Sequence, residues 1–388
     1  GTRRGANMGI LRVDHPDIEE FTTIKKNPGE LNNFNLSVAV TDQFIECCRR
    51  NVLFPLINPR TGKIVKKVRS MDLIGLIAQC AWESGEPGLI FIDTINKYNP
   101  TSALGRIEAT NPCGEQPLLP YEACCLGSID LKKMVRGGRI DRDELRRVIH
   151  LAVRFLDDAI DAGKYPLPVI ESVTKGNRKI GLGVMGFAHM LIELGISYDS
   201  PQALAIASDV MGLIQKESKE ASRALAGERG TFPNFRESVW AQRRIPLRNA
   251  TTTTIAPTGT LSIIAGTSSG IEPIFDVTYS RMIFGGLCLD VVDPLYKAMA
   301  DKGFPGLNKL FRKAHEISPD WHLAIQKAFQ DHVDNAVSKT INLPAATTPD
   351  EIRAIFLKAH ALGLKGITVF RDQSRDAQIL SCRTQQTC

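Results

Sequence analysis

The 388-residue sequence has no segment able to cross a bilayer, no CxxC pair, no Walker A loop and no heptad or low-complexity run. Its longest near-apolar stretch, Ile180 to Ile196, carries four glycines, His189 and Glu193, polar groups that hydrocarbon would strand. Membrane partners are therefore not expected. None of the seven histidines stands at zinc-ligand spacing from a cysteine pair, so no metal site is expected either. Lys and Arg number 48 against 42 Asp and Glu, a net +6, and the densest basic runs are only pairs such as Arg146-Arg147 and Arg243-Arg244. Such scattered charge fits a small anionic substrate and no nucleic acid. Nine cysteines are an odd number, and the opening residues show no signal-peptide pattern, which together suggest a reducing, cytoplasmic setting. The chain opens on Gly1-Thr2-Arg3-Arg4-Gly5-Ala6-Asn7 without an initiator Met, which reads as mid-loop and suggests a split or truncated product.

At 43% hydrophobic and 23% charged, the composition is that of a globular protein. Short apolar runs alternate with long amphipathic segments throughout, the pattern of α/β architecture. Leu36 to Val40, Leu89 to Ile92, Cys125 to Leu131, Lys179 to Val184, Thr252 to Ile255, Lys339 to Leu343 and Gly366 to Phe370 read as strands. Helix entries stand at Ser200-Pro201, Ser318-Pro319 and the capping box Thr348-Pro349-Asp350-Glu351. Phe54 to Ile57 and Lys63 to Val68 flank a turn-rich segment that suits a β-hairpin. With no linker composition, one large α/β unit is expected, a barrel in preference to an open sheet.

Three segments could carry chemistry. Asn111-Pro112-Cys113-Gly114-Glu115 sets a thiol, a carboxylate and an amide at alternate positions of a proline-stiffened loop. If extended, it would aim all three at one pocket; the alternative is an ordinary turn with a buried Cys. Cys124-Cys125 enters a predicted strand, either as a second thiol for redox work or as small residues alternating across the sheet. Pro257-Thr258-Gly259-Thr260-Leu261 opens a predicted helix, where free amides suit an anion and where a simple N-cap would look alike.

Arg3-Arg4-Gly5-Ala6-Asn7-Met8, Asp14-His15-Pro16-Asp17, Asn111-Pro112-Cys113-Gly114-Glu115, Cys125-Leu126-Gly127-Ser128-Ile129, Ala256-Pro257-Thr258-Gly259-Thr260, Gly270-Ile271-Glu272-Pro273 and Gly366-Ile367-Thr368-Val369-Phe370-Arg371-Asp372 resemble, in order, motifs of ribonucleotide reductase large subunits. The resemblance is to the adenosylcobalamin-dependent (class II) enzymes. It implies a ten-stranded α/β barrel with a central finger loop, its N-terminal part missing here: residues 1–378 as partial barrel and 379–388 as a short tail. By that resemblance Cys113 becomes the thiyl radical that abstracts the ribose 3′-hydrogen. Glu115 takes the 3′-hydroxyl proton, and Asn111 hydrogen-bonds the substrate as the 2′-hydroxyl leaves. Cys124 matches one member of the reducing thiol pair, Cys125 standing where the family commonly has Asn. Pro257, Thr258, Gly259, Thr260 and Leu261 would hold the substrate phosphates, and Arg3, Arg4, Gly5, Ala6 and Asn7 the specificity loop that contacts the base.

Val369 and Phe370 stand where class I subunits carry a tyrosine pair, and neither can relay a proton-coupled electron as a phenol does. That favours adenosylcobalamin as cofactor over a class I large subunit. The other reading is a non-catalytic, nucleotide-binding scaffold. Expected partners are a ribonucleoside di- or triphosphate, deoxynucleotide effectors, a thioredoxin-type reductant, a complementary upstream chain and, when complete, a second copy. Cys382 and Cys388 of the tail could pass reducing equivalents.

Overall fold

A computed structural model describes residues 5–26, 31, 33–282, 288–374 and 380–382. Arg3, Arg4 and Cys388 lie outside them. The central strands are β1 (Asn7–Arg12), β2 (Phe34–Val40), β3 (Gly88–Phe91), β4 (Cys125–Asp130), β5 (Ile180–Met185), β6 (Thr340–Leu343) and β7 (Gly366–Arg371). β1, β2 and β3 run parallel, and β3 meets β7 antiparallel through Gly366↔Ile90 and Ile367↔Leu89. β7 is parallel to β6, Val337 just before β6 bridges Ile255, Thr253 bridges Leu182 of β5, and β5 is parallel to β4. The result is one continuous ladder of two parallel arms, opposed in direction, ending at β1 and β4. Among the described residues no pairing joins those two ends, so the ladder is not a closed barrel.

The sequence pattern explains the arms. Helices cover the outer faces. Helix Arg142–Ala162 buries Leu145, Ile149, Val153, Leu156 and Ile160, a stripe at helical spacing that packs on β4 and β5 with helices Pro201–Arg229 and Pro319–Gln330. Helices Ser70–Ser84 and Pro349–Ala361 cover β1 to β3 together with β6 and β7 in a second core. The expected caps form: Ser200 accepts from Ala203 N–H, Ser318 from Trp321 N–H, and Thr348 with Glu351 makes the reciprocal box. The hairpin spans Leu53–Ile57 and Ile64–Arg69.

Two features depart from the reading above. The sequence does not mark β1, which begins at Asn7, the last residue of the segment read as a specificity loop. And Thr252 to Ile255, expected as a strand, contributes single bridges, its buried threonines tied by side-chain bonds: Thr252 Oγ1 to Asp334 at 3.2 Å, Thr253 to Gln215 and Thr254 Oγ1 to the Glu115 carbonyl at 2.9 Å. Gly181, Gly183 and Gly186 have the spacing of a dinucleotide-binding turn, yet Gly181 and Gly183 lie in β5. A Cβ on Gly183 would stand 2.1 Å from the Thr254 carbonyl oxygen, so these glycines serve close strand packing. No helix among the described residues is long and apolar enough to cross a membrane.

Candidate active site

A two-rung hairpin, Ala109–Thr110 with Pro117–Leu118, carries the loop 111–116. The loop is a turn and not extended: Gly114 N–H donates to the Asn111 carbonyl at 3.0 Å, and Gly114 sits at φ +79°, where a side chain is strained. Alternation fails as a result. Cys113 is exposed at the tip, whereas Glu115 is 2% exposed. Asn111 closes the turn, its Oδ1 accepting Gln116 N–H at 3.0 Å, and also hydrogen-bonds the Glu115 carboxylate.

The loop is tied to both arms. Asn35 Nδ2 of β2 donates to the Pro112 carbonyl at 2.9 Å, while the Glu115 carbonyl accepts from Ala336 N–H and Thr254 Oγ1, each at 2.9 Å. Burial raises the Glu115 carboxyl above its usual value against the pull of the Asn111 bond, and Glu115 Oε2 has no partner among the described residues. Surrounding protein, and then the Glu115 charge, push the Cys113 thiol up to about 11. At neutral pH it is S–H, a hydrogen-atom donor, and not the thiolate a nucleophile requires.

Strand parity separates the adjacent cysteines. Cys125 packs with Ile129 on the helical side of β4, and a Cβ on Gly127 would meet Leu156 of the covering helix. Cys124 therefore faces the concave side. Burial drives its thiol well above the usual value; Lys179 pulls it down, while Glu122 and Glu115 add to the rise. Sequence reasoning missed Lys179 and Glu122. Lys179 Nζ meets Glu122 Oε2 at 2.7 Å, both side chains buried, and Glu122 also accepts Leu119 N–H at 2.8 Å and Asn177 Nδ2 at 2.7 Å. The position of Glu122, two residues before Cys124, was the only available signal.

Pro257-Thr258 leads into the short helix Gly259–Ala265. Thr258 is left-handed at φ +53° and does not cap the helix; its Oγ1 accepts Gly270 N–H at 2.7 Å. The first-turn amides of Gly259, Thr260 and Leu261 are thereby left without a side-chain cap. A cavity of about 670 Å³ between the arms is lined by Pro112 of the loop, Ser262 and Ile263 of this helix, Asn342 of β6, and Val369 and Phe370 of β7. Its size suits a small ligand. Gly5, Ala6 and Asn7 are exposed at the start of β1, and no group of metal-ligating side chains occurs among the described residues.

The α/β ladder thus holds a Cys, Glu and Asn turn beside a cavity of small-ligand size that Pro112 of the turn also lines. The sequence matches the ribonucleotide reductase barrel-domain family over residues 1–370, and the chain belongs to that family. It is 50% identical over 405 residues to a vitamin B12-dependent ribonucleoside-diphosphate reductase of Mycobacterium tuberculosis (strain CDC 1551 / Oshkosh), covering 98% of this chain and 58% of that protein. A protein of the same description from Thermoplasma acidophilum is 48% identical over 411 residues, covering 100% of this chain and 54% of the relative. A vitamin B12-dependent ribonucleotide reductase of Streptomyces clavuligerus is 27% identical over 482 residues, 99% of this chain and 50% of the relative. The chain thus spans a little over half the length of its more similar relatives.

Proposed function

We propose that this chain carries the reaction centre of an adenosylcobalamin-dependent ribonucleotide reductase and reduces ribonucleotides to deoxyribonucleotides by thiyl-radical chemistry. The observation that carries the reading is Cys113, kept as a neutral thiol at the tip of a turn beside the buried Glu115 that Asn111 holds. In this role Cys113, as a thiyl radical, takes a hydrogen atom from ribose C3′ and later returns one. Glu115, whose raised affinity for a proton suits a base, accepts the 3′-hydroxyl proton. Asn111 steadies the substrate while the 2′-hydroxyl leaves as water. Cys124, facing the same side, supplies reducing equivalents with a partner thiol from another segment.

The loop 111–116 serves as the finger loop of a ten-stranded barrel that strands outside this chain complete. The outer edge of β4, which pairs with no strand among the described residues, and the exposed Leu151 and Phe155 on the neighbouring helix support a complementary segment there. Residues 1–378 are assigned to the barrel and 379–388 to the tail. Amides of Gly259, Thr260 and Leu261, with Pro257 and Thr258 shaping the turn, hold the substrate phosphates. Arg3 to Asn7 contact the base under control of deoxynucleotide effectors, a thioredoxin-type protein resupplies electrons, and the complete protein is a cytoplasmic homo-oligomer.

The residues present suit the cofactor: the exposed apolar side chains Leu261, Ile263 and Ile264 would seat the corrin rim beside a cavity that Pro112, next to Cys113, also lines. When bound, adenosylcobalamin supplies the one-electron oxidising equivalent, consistent with Val369 and Phe370 standing at the cavity wall in place of phenols. Complementation with an upstream fragment tests the proposal. Adenosylcobalamin-dependent deoxynucleotide formation that disappears in Cys113→Ala is expected; activity that persists in that variant, or that needs a separate radical-generating protein, overturns it. The chain by itself is expected to show no turnover.

A further inference from the structure

A buried polar relay lies behind the phosphate turn, built from residues far apart in sequence. Asp293 starts helix Pro294–Asp301, its Oδ1 accepting the N–H groups of Leu295 at 2.9 Å and Tyr296 at 3.0 Å. Its other oxygen, Oδ2, meets His189 Nε2 at 2.8 Å. The second ring nitrogen, Nδ1, lies 3.1 Å from the backbone N–H of Ser268 and can only accept there. An acceptor on one side and a donor on the other fix the proton on Nε2. Ser268 reciprocates: its Oγ accepts His189 N–H at 3.3 Å and its carbonyl accepts Gly186 N–H at 2.7 Å.

The two residues that follow carry the connection to the phosphate turn. Ser269 Oγ lies 2.8 Å from Ser262 Oγ, and Gly270 N–H donates to Thr258 Oγ1 at 2.7 Å. Gly270 is left-handed at φ +47°, and a Cβ there would stand 3.1 Å from the Ala256 carbonyl, so the turn has little room to shift. His189 and Asp293 line the same cavity as Pro112 and Ser262.

We infer that His189, held in one tautomer by Asp293, is a positioning residue that fixes the Ser268–Gly270 turn and, through it, the Thr258–Leu261 turn for a nucleotide's phosphates. The inference rests on the phosphate role proposed above for that turn. Asp293 is suited to the task because both its oxygens accept. Burial pushes its carboxyl up, but the His189 bond and the Tyr296 and Leu295 amides hold it below the usual range. An asparagine has one acceptor. With that oxygen on the two helix amides, its NH₂ would face Nε2–H, the ring proton would move to Nδ1, and Nδ1–H would then oppose Ser268 N–H. Exchanging one atom thus breaks the relay at its joint with the turn.

The test uses the full chain, with ¹⁵N-labelled histidine to read the His189 tautomer and calorimetry with ADP to read phosphate binding. The wild type is expected to show Nε2–H. Asp293→Asn is expected to move the proton to Nδ1 and weaken ADP binding about tenfold, the scale of a lost charged hydrogen bond. His189→Ala is expected to weaken ADP similarly. Ser269→Ala, which cuts the link to Ser262, should lower affinity with the tautomer unchanged, and it serves as the deciding variant if Asp293→Asn does not fold. Nδ1–H in the wild type overturns the inference, as does unchanged ADP affinity in His189→Ala or Ser269→Ala. A wild-type chain that holds the Nε2–H tautomer but does not bind ADP refutes the phosphate role of the turn, and with it the positioning role, while leaving the relay itself standing.

Discussion

The reactivity of Cys113 against pH is the most direct check on the chemistry assigned to the loop. Its thiol stands at about 11 against an ordinary 9.0, because surrounding protein and the Glu115 charge both oppose a thiolate. Two units correspond to about a hundredfold less thiolate at neutral pH than an unperturbed cysteine has. Alkylation by iodoacetamide, followed residue by residue by mass spectrometry, should therefore be about a hundredfold slower at Cys113 in the folded chain than in the chain unfolded by urea, and should rise until about pH 11. In Glu115→Gln the second cause disappears and the first remains, so the midpoint should fall part of the way toward 9.0. A midpoint below neutrality in the wild type would make Cys113 a resting thiolate, a nucleophile or a redox sensor. Hydrogen-atom chemistry at that sulfur would then lose its physical basis.

Two further outcomes follow from buried groups. Lys179→Met leaves the Glu122 carboxylate buried without its cation, and urea denaturation should show a loss of about 3–5 kcal/mol, much of it recovered when Glu122→Leu is added; a double variant as unstable as the sum of the two singles would refute the pairing. His322 is buried against the Ala314 carbonyl, and burial, reinforced by Lys339, lowers it from 6.5 to about 2. Below pH 6.5 the unfolded chain takes up a proton that the folded one refuses, so stability should fall by about 1.4 kcal/mol per pH unit as pH drops from 6.5 toward 2, and His322→Phe should remove that component of the slope.

The sequence makes the strands of both arms legible, β1 excepted, because apolar runs of strand length alternate with capped helices, and local chemistry decides both. The loop 111–116 is legible in composition but not in shape: Gly114 at positive φ turns the chain, separating Cys113 at the surface from Glu115 in the interior. The choice between Cys124 and Cys125 needs the register of β4 against its covering helix, a long-range fact. The same holds for Lys179 with Glu122, and for His189 with Asp293, which are 104 positions apart in the chain. The glycines of β5 show the converse, a short motif whose meaning comes from Thr254, a neighbour supplied by the fold.

The turn that bears Cys113 also acts as a strut. Beneath it the two arms share the β3–β7 pairing and one hydrophobic core, while across the cavity Asn35 grips the turn from one bank and Thr254 with Ala336 from the other. Spreading the crevice would pull on Pro112 and Glu115 at once. The setting of the Cys113 sulfur is thereby tied to both sides of the cleft through one six-residue turn.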